Sequence, residues 1–332
     1  IAGLTCAYYL NKKGIDITLF EAADYIGGHT HTVQTDFDNE QATIDTGFIV
    51  FNDRTYPNFI SLLEEIGVDY QATEMSFSVR NDHLDLEYNG SSANGLFAQR
   101  KNLLRPSFYK MLADITRFNK EVRTISDSEA ESTIGEYLQR SNYGSLFKDN
   151  YLLPMIAAIW SMGTEDCLDF PLHFFIRFFD NHGLLDLSNR PQWYTIKGGS
   201  SSYIEPLTAE FRQRISLNSA VTGVERSEDE VVVRTGDKFS RFDEVVFACH
   251  GDQALAVLQQ PHENKRRLLS QFQFSDNRVV LHTDSSHLPQ RKGAWASWNY
   301  LITDRGAAQS TLTYNMNILQ SLQKRHTYLV TL

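Results

Sequence analysis

Apolar side chains at Leu4, Ala7, Tyr8 and Leu10 repeat at helical spacing, and Lys12 and Lys13 follow at the negative end of the helix dipole. Gly14 is the expected left-handed stop. Residues 15–20, IDITLF, read as a short buried strand that ends on Glu21, and a loop with the pair Gly27-Gly28 comes next. Residues 41–51, QATIDTGFIVF, read as a strand interrupted at Gly47. An amphipathic helix is expected over 56–66, with Pro57 at its start and Gly67 closing it. Alternation over 76–90 predicts a strand pair turning at Asn81-Asp82, with a second turn at Asn89-Gly90 and SSANG. Residues 107–124 and 132–163 look mainly helical. The run 151–162 is apolar nearly all round, so it is a core helix or the lining of an apolar tunnel, and Pro154 kinks it or marks its first turn. In 170–185, Phe174 and Phe178 share one helix face and Phe175 and Phe179 another, beside Phe170. They suit a core or an aromatic substrate wall.

Further on, Gly198-Gly199 predicts a tight turn with Ser200 as a helix N-cap. Residues 215–250 alternate as a strand meander with turns at 227–229 and 235–237, ending in the strand 243–248, DEVVFA. A helix starts at GDQALAVL, and 277–283, NRVVLHT, reads as one more strand. Trp295, Trp298 and Tyr300 follow, the last two on one strand face, where they form a flat wall or simply pack.

The candidate chemistry lies in the first stretch. Helix, glycine, strand and acid follow each other as in the second half of a dinucleotide-binding βαβ unit. The N-terminus of the helix at Ala2-Gly3 suits a pyrophosphate. Gly3 lets helix and strand approach closely, and Glu21, 18 positions later, stands where an acid bonds ribose hydroxyls. A glutamate there disfavours a 2′-phosphate, so NADP is not expected. The plain alternative is an ordinary βα unit with a solvated Glu21. Only the last positions of the glycine fingerprint are present, so its first strand and two phosphate-loop glycines are expected before Ile1.

Composition narrows the partners. With 31 basic and 41 acidic residues among 332, the net charge of −10 argues against nucleic acid. At 42% hydrophobic the chain can bury a large core and is long enough for two domains. No run of about 18 apolar residues predicts a membrane span. Cys6, Cys167 and Cys249 are widely spaced and odd in number, which fits buried thiols in a reducing cytoplasm better than disulfides or zinc. A metal reading of His29 and His31 with Asp45 or His83 is weak, because two histidines at i and i+2 in a loop carry little signal.

The stretch EAADYIGGHTHT resembles the second fingerprint of the flavin-containing amine oxidase-like proteins, which include amine oxidases, protoporphyrinogen oxidase and phytoene desaturases. Glu21, Gly27, Gly28 and Thr32 match it, while His29 replaces the usual arginine. IDTGFIVFN, GGSSSYIEPL and DEVVFA resemble three later elements of that family. The resemblance implies an α/β fold, with a Rossmann-like FAD-binding domain that lacks its first strand and an α+β substrate domain. The expected FAD-binding domain is 1–57 and 194–256, and the expected substrate domain is 58–193 and 257–332. It also implies FAD as cofactor, bound by Ala2, Gly3, Glu21, Ala22, Gly27, Gly28, His29 and Thr30, with Val221 at the adenine and Ala248 near the phosphates. Thr46, Gly47 and Phe48 are implied beside the flavin ring; the alternative for Gly47 is a β-bulge. A family lysine near flavin N5 would fall at Asn277-Arg278, and neither is lysine.

The reading is therefore an FAD-dependent oxidoreductase taking hydride from an apolar, lipid or polyprenoid, substrate. A flavin amine oxidase using O2 and a non-catalytic flavoprotein are the alternatives. Catalytic residues are not named. A cytoplasmic location, with at most weak contact to a membrane surface, is expected. The family's closing glycine segment is expected beyond Leu332, and the chain alone is expected to hold FAD poorly.

Overall fold

Helix Ala2–Lys12 buries Leu4 and Ala7 and ends where Gly14 takes a φ of +75°. The computed structural model describes residues 1–186, 188–272, 274, 276–303 and 310–332, with backbone only at 127 and 128. The chain forms two compact units. The first holds Ile1–Thr32, Leu63–Val68 and Ser200–Asp276, and the second holds Val33–Leu62, Asp69–Gly199 and Asn277–Leu332. Residues 33–57, expected with the cofactor domain, thus cluster with the second unit.

In the first unit, strand Leu19–Phe20 pairs in parallel with Ile215–Ser216. The expected strand over 15–20 is correspondingly shorter, because only these two residues have a ladder partner. Strands Val221–Arg226, Val231–Thr235 and Lys238–Phe242 form the expected antiparallel meander, with Gly236 at φ +56° in its second turn. Val224, Val231 and Val233 are buried on it, with Phe20, Phe242, Val245, Phe247 and Val257 packed against them. Residues 243–248 correct the expectation of a final strand. The segment turns Val245 and Phe247 inward and leaves Val246 63% exposed, the alternation of a strand, but it has no ladder partner among the described residues.

The second unit is built on a six-stranded sheet. Its order is Val280–His282, Leu329–Thr331, Thr311–Asn315, Trp298–Ile302, Phe77–Asn81 and Leu86–Asn89. Only Trp298–Ile302 and Phe77–Asn81 run parallel. The last two strands form the hairpin expected at Asn81-Asp82, whereas the strand expected over 277–283 is confined to its last half. Val50–Asn52, Trp193–Ile196 and Tyr70–Thr73 form a second, antiparallel sheet. Helix Pro57–Glu65 starts on its proline and stops before Gly67, at φ +70°.

Helix Pro106–Glu121 matches its sequence signal, but 132–163 is interrupted rather than continuous. It breaks into Ile134–Arg140, Ser145–Phe147, a π-helical turn Lys148–Leu152, and Leu153–Trp160. The last break has a definite cause. Pro154 has no N–H to give the carbonyl of Asn150, and the buried Tyr88 hydroxyl donates to that oxygen instead, at 2.6 Å. The Asn150 side chain, also buried, accepts from Asn81 Nδ2 at 2.7 Å. Phe108, Phe118, Phe147, Leu152, Ile156, Phe175 and Phe179 fill the main core around these polar groups. Cys167 lies in the same core, where burial pushes its thiol up to about 12 and keeps it a packing group.

Candidate functional site

In the first unit the residues expected at the cofactor are gathered by backbone bonds. Glu21 follows strand Leu19–Phe20, and its N–H donates to the Ser216 carbonyl at 2.9 Å. Its own carbonyl accepts from Ser219 N at 2.8 Å, and Ala23 carbonyl accepts from Asn218 N at 2.9 Å. This lacing fixes the acid beside the chain that leads into Val221, the first residue of its strand. Glu21 Oε1 accepts the Ala23 N–H at 2.9 Å, and Oε2 bonds nothing among the described residues. Ala22 is exposed beside it.

Gly3 explains its own presence. A Cβ there would stand 3.1 Å from the Cβ of Ala248, so the helix start lies on the end of segment 243–248. Ala2 is exposed at that helix start, and no side chain caps it. The close neighbour of Gly3 is thus Ala248, in a segment that forms no ladder among the described residues.

The glycine pair forms a braced turn. Gly27 has φ +139° and is buried, and a Cβ on it would fall 2.6 Å from the Thr30 carbonyl and 2.9 Å from Ile204 Cδ1. Gly28 has φ +59° and open space around it. The Thr30 N–H closes the turn onto the Gly27 carbonyl at 3.0 Å. The Thr30 hydroxyl is buried and makes a short hydrogen bond to the Tyr203 hydroxyl. Thr32 Oγ1 accepts the N–H of Ser201 at 2.9 Å, so a threonine from the fingerprint holds the start of the turn Ser200–Tyr203. Tyr203 and Ile204 have no fingerprint signal of their own; only their place after the Gly-Gly element could have suggested them.

His29 is exposed and its ring stacks on His250 at 5.3 Å, and His250 stacks on Phe274 at 4.1 Å and 5°. His250 heads helix Gly251–Val257, where its N–H donates to Gln253 Oε1 at 3.3 Å. This three-ring column was not legible from periodicity, since its members are 29, 250 and 274 in the chain. His31 lies against Tyr25 instead, with ring centroids 5.3 Å apart. Among the described residues no group of three or more His, Cys, Asp or Glu side chains could hold a metal ion.

Thr46, Gly47 and Phe48 belong to the second unit, in the loop between strands Glu40–Asp45 and Val50–Asn52. Gly47 is exposed, Thr46 half-buried, and Phe48 packs edge-on against Phe59 at 5.5 Å. Asp45, just before them, is fully buried and takes no part in a ligand set. Its N–H donates to Gln320 Oε1 at 3.0 Å, and Gln320 Nε2 donates back to its carboxylate at 3.3 Å. In the same unit an aromatic group surrounds Trp160. Phe170 lies 4.4 Å from its ring, Phe178 at 4.9 Å and Phe174 at 6.2 Å. Phe175 and Phe179 turn into the core, while Phe174 is 49% exposed, so the two helix faces divide between packing and surface. Tyr300 is buried in the main core and Trp298 packs on Tyr314 at 5.1 Å, so each is a packing residue. Trp295 is tied by its Nε1 to the Pro289 carbonyl at 2.8 Å.

Comparison with known proteins gives the fold a family. A 1-hydroxycarotenoid 3,4-desaturase from Flavobacterium sp. is 28% identical over 222 residues, which is 62% of this chain and 39% of that protein. The chain thus spans about two fifths of that relative's length. Among solved structures, wild-type putrescine oxidase bound to putrescine superposes with a TM-score of 0.68 at 15% identity, covering 99% of this chain and 72% of the other. A putative protoporphyrinogen oxidase from Exiguobacterium sp. reaches 0.64 at 19% identity, covering 99% and 74%. A conjugated-linoleic-acid-producing fatty acid isomerase from P. acnes reaches 0.61 at 13% identity, with the same coverage. These likenesses show the fold, an α/β arrangement shared with FAD-binding oxidases. The family described as flavin containing amine oxidoreductase matches residues 1–319, and the chain belongs to that family, with FAD as its cofactor.

Proposed function

We propose that the protein is an FAD-dependent oxidoreductase that takes hydride from an apolar substrate of lipid or polyprenoid type. The residues present fit the cofactor. Glu21 offers a carboxylate oxygen with no partner among the described residues, Gly27 stands where a Cβ would collide and Gly3 where it would be tight, and the first turn of helix Ala2–Lys12 has no side-chain cap. Bound FAD supplies the hydride acceptor. Glu21 would hold the ribose hydroxyls and the helix start the pyrophosphate. His29 would meet phosphate in place of the family's arginine. Val221 and Ala248 would border the adenine and phosphate, and Thr46, Gly47 and Phe48 the ring.

The observation that carries the substrate class is the aromatic group in which Phe170 and the helix residues Phe174 and Phe178 gather around Trp160, with Phe174 exposed. Such a wall binds an apolar chain, orients its C–H bonds and excludes water. The absence of lysine at Asn277-Arg278 and the carotenoid desaturase relative favour the same class. The test is an anaerobic titration of the flavin-loaded full-length protein. Flavin absorbance should bleach with polyenes or unsaturated acyl lipids and stay unchanged with amines. Bleaching by amines alone would overturn the substrate class, and failure to take up FAD would overturn the whole reading.

A further inference from the structure

The chain is acidic overall, yet one surface of the second unit is both basic and apolar. The hairpin turn after Phe77–Asn81 exposes Leu84. The adjoining turn Arg100–Leu104 and the start of helix Pro106–Glu121 expose Leu103 at 46%, Leu104 at 87% and Tyr109 at 47%. Scattered single apolar residues need no account, but three leucines and a tyrosine on two touching turns do.

The turns are braced against each other. Lys101 pairs with the Asp85 carboxylate, Gln99 Nε2 donates to it at 2.9 Å, and Arg105 Nη1 donates to the Asp85 carbonyl at 3.0 Å. The Tyr109 hydroxyl donates to the Leu103 carbonyl at 3.1 Å. The leucines are therefore displayed by a fixed scaffold whose own polar groups are satisfied.

Cations flank them in the chain, Arg100, Lys101, Arg105 and Lys110, and Arg291 and Lys292 stand on the turn whose Gly293 lies against Ala98. Burial, and then the charges of Arg105 and Arg291, lower the Lys101 pKa, as expected for cations crowded together. The acids here are already taken, Asp82 by Arg80, Asp85 by Lys101 and Glu87 by Arg291. Arg100, Lys110 and Lys292 have no acidic partner among the described residues. On a molecule of net charge −10 this local excess of positive charge selects an anionic partner.

We propose that this face docks on an anionic lipid bilayer, with Leu84, Leu103 and Leu104 at the acyl boundary and the cations over the headgroups. Apolar tips framed by basic side chains match such an interface, where burial and charge add. The proposal does not depend on which substrate the protein oxidises.

The test is flotation of the purified full-length protein with vesicles of equal parts phosphatidylcholine and phosphatidylglycerol, against phosphatidylcholine alone. The wild type should float with the anionic vesicles only. Leu103→Glu with Leu104→Glu should weaken that partition by roughly tenfold or more. Arg100→Ala with Lys110→Ala should weaken it severalfold, and added salt should lower it too. Leu104→Ser alone repeats the apolar test with less change at the surface, and thermal unfolding of every variant should match the wild type. Equal binding to neutral vesicles, or leucine variants that float like the wild type, would overturn the proposal. So would a wild type that ignores vesicles but forms a dimer that the leucine variants dissolve, since the face would then be a contact between copies.

Discussion

Gly27 carries its constraint in two ways at once, a backbone at φ +139° and a Cβ position 2.6 Å from the Thr30 carbonyl. Gly27→Ala is expected to cost on the order of 1–3 kcal/mol and to loosen the turn that the Thr30–Tyr203 hydrogen bond closes. Urea unfolding reads the first effect, and flavin retained through gel filtration reads the second. The sequence made this glycine legible because the fingerprint spacing marks it, but not the brace. Tyr203 is 173 positions from Thr30, and nothing in local periodicity links them. The same limit hid Tyr88. Pro154 was recognisable as a break, whereas the hydroxyl that satisfies the freed Asn150 carbonyl comes from a strand 62 positions away. Tyr88→Phe removes this donor from a buried carbonyl. It should destabilise the protein by about 1–3 kcal/mol in denaturant titration, with flavin binding unchanged.

Elements were read well where one face is buried and the other wet. Helix Pro106–Glu121, the hairpin at 77–89 and the meander at 221–242 follow their patterns closely. Segments 15–18 and 243–248 read as strands from their apolar patterning, but a strand is a property of two segments, and these have no ladder partner among the described residues. The hairpin of Thr32–Phe37 and Glu40–Asp45 shows the converse, an element whose anchoring lies outside itself. Glu40 Oε1 accepts the Arg325 N–H at 2.7 Å and Oε2 accepts the His326 N–H at 3.0 Å. These backbone donors, Arg325 foremost, hold the Glu40 carboxyl below its ordinary value. A depressed carboxyl pKa contributes stability that is complete above the unfolded value and is lost as pH falls through the folded one. Acid should therefore release this hairpin below the ordinary glutamate range. Hydrogen exchange of the Arg325 and His326 amides should rise there in the wild type, and should already be raised at neutral pH in Glu40→Ala.

At the scale of the whole molecule the two units differ in how they are held. The second unit has a continuous core of aromatic and aliphatic side chains from Val79 to Leu312. The first unit buries fewer large side chains, chiefly Leu4, Leu63, Tyr203, Leu207 and Phe211 besides the three valines of its meander, and leaves Val246, Phe272 and Phe274 exposed. Apolar burial sets most of a unit's stability, so the first unit should open at lower temperature. The proposed FAD ligands lie mainly in that unit, at Gly3, Glu21, Gly27, Gly28 and His29. A ligand that binds only the folded form stabilises by about 2.7 kcal/mol at a hundredfold excess over its Kd. Calorimetry should therefore resolve two transitions, with FAD raising the lower and leaving the upper nearly fixed. His29→Arg, which restores the family's residue, should enlarge that shift, because a guanidinium presents a permanent charge and a planar fork to phosphate. A single transition would mean that the chain unfolds as one cooperative body, whereas an FAD shift confined to the upper one would mean that the cofactor is held chiefly by the second unit, with the Thr46-Gly47-Phe48 loop as its main contact.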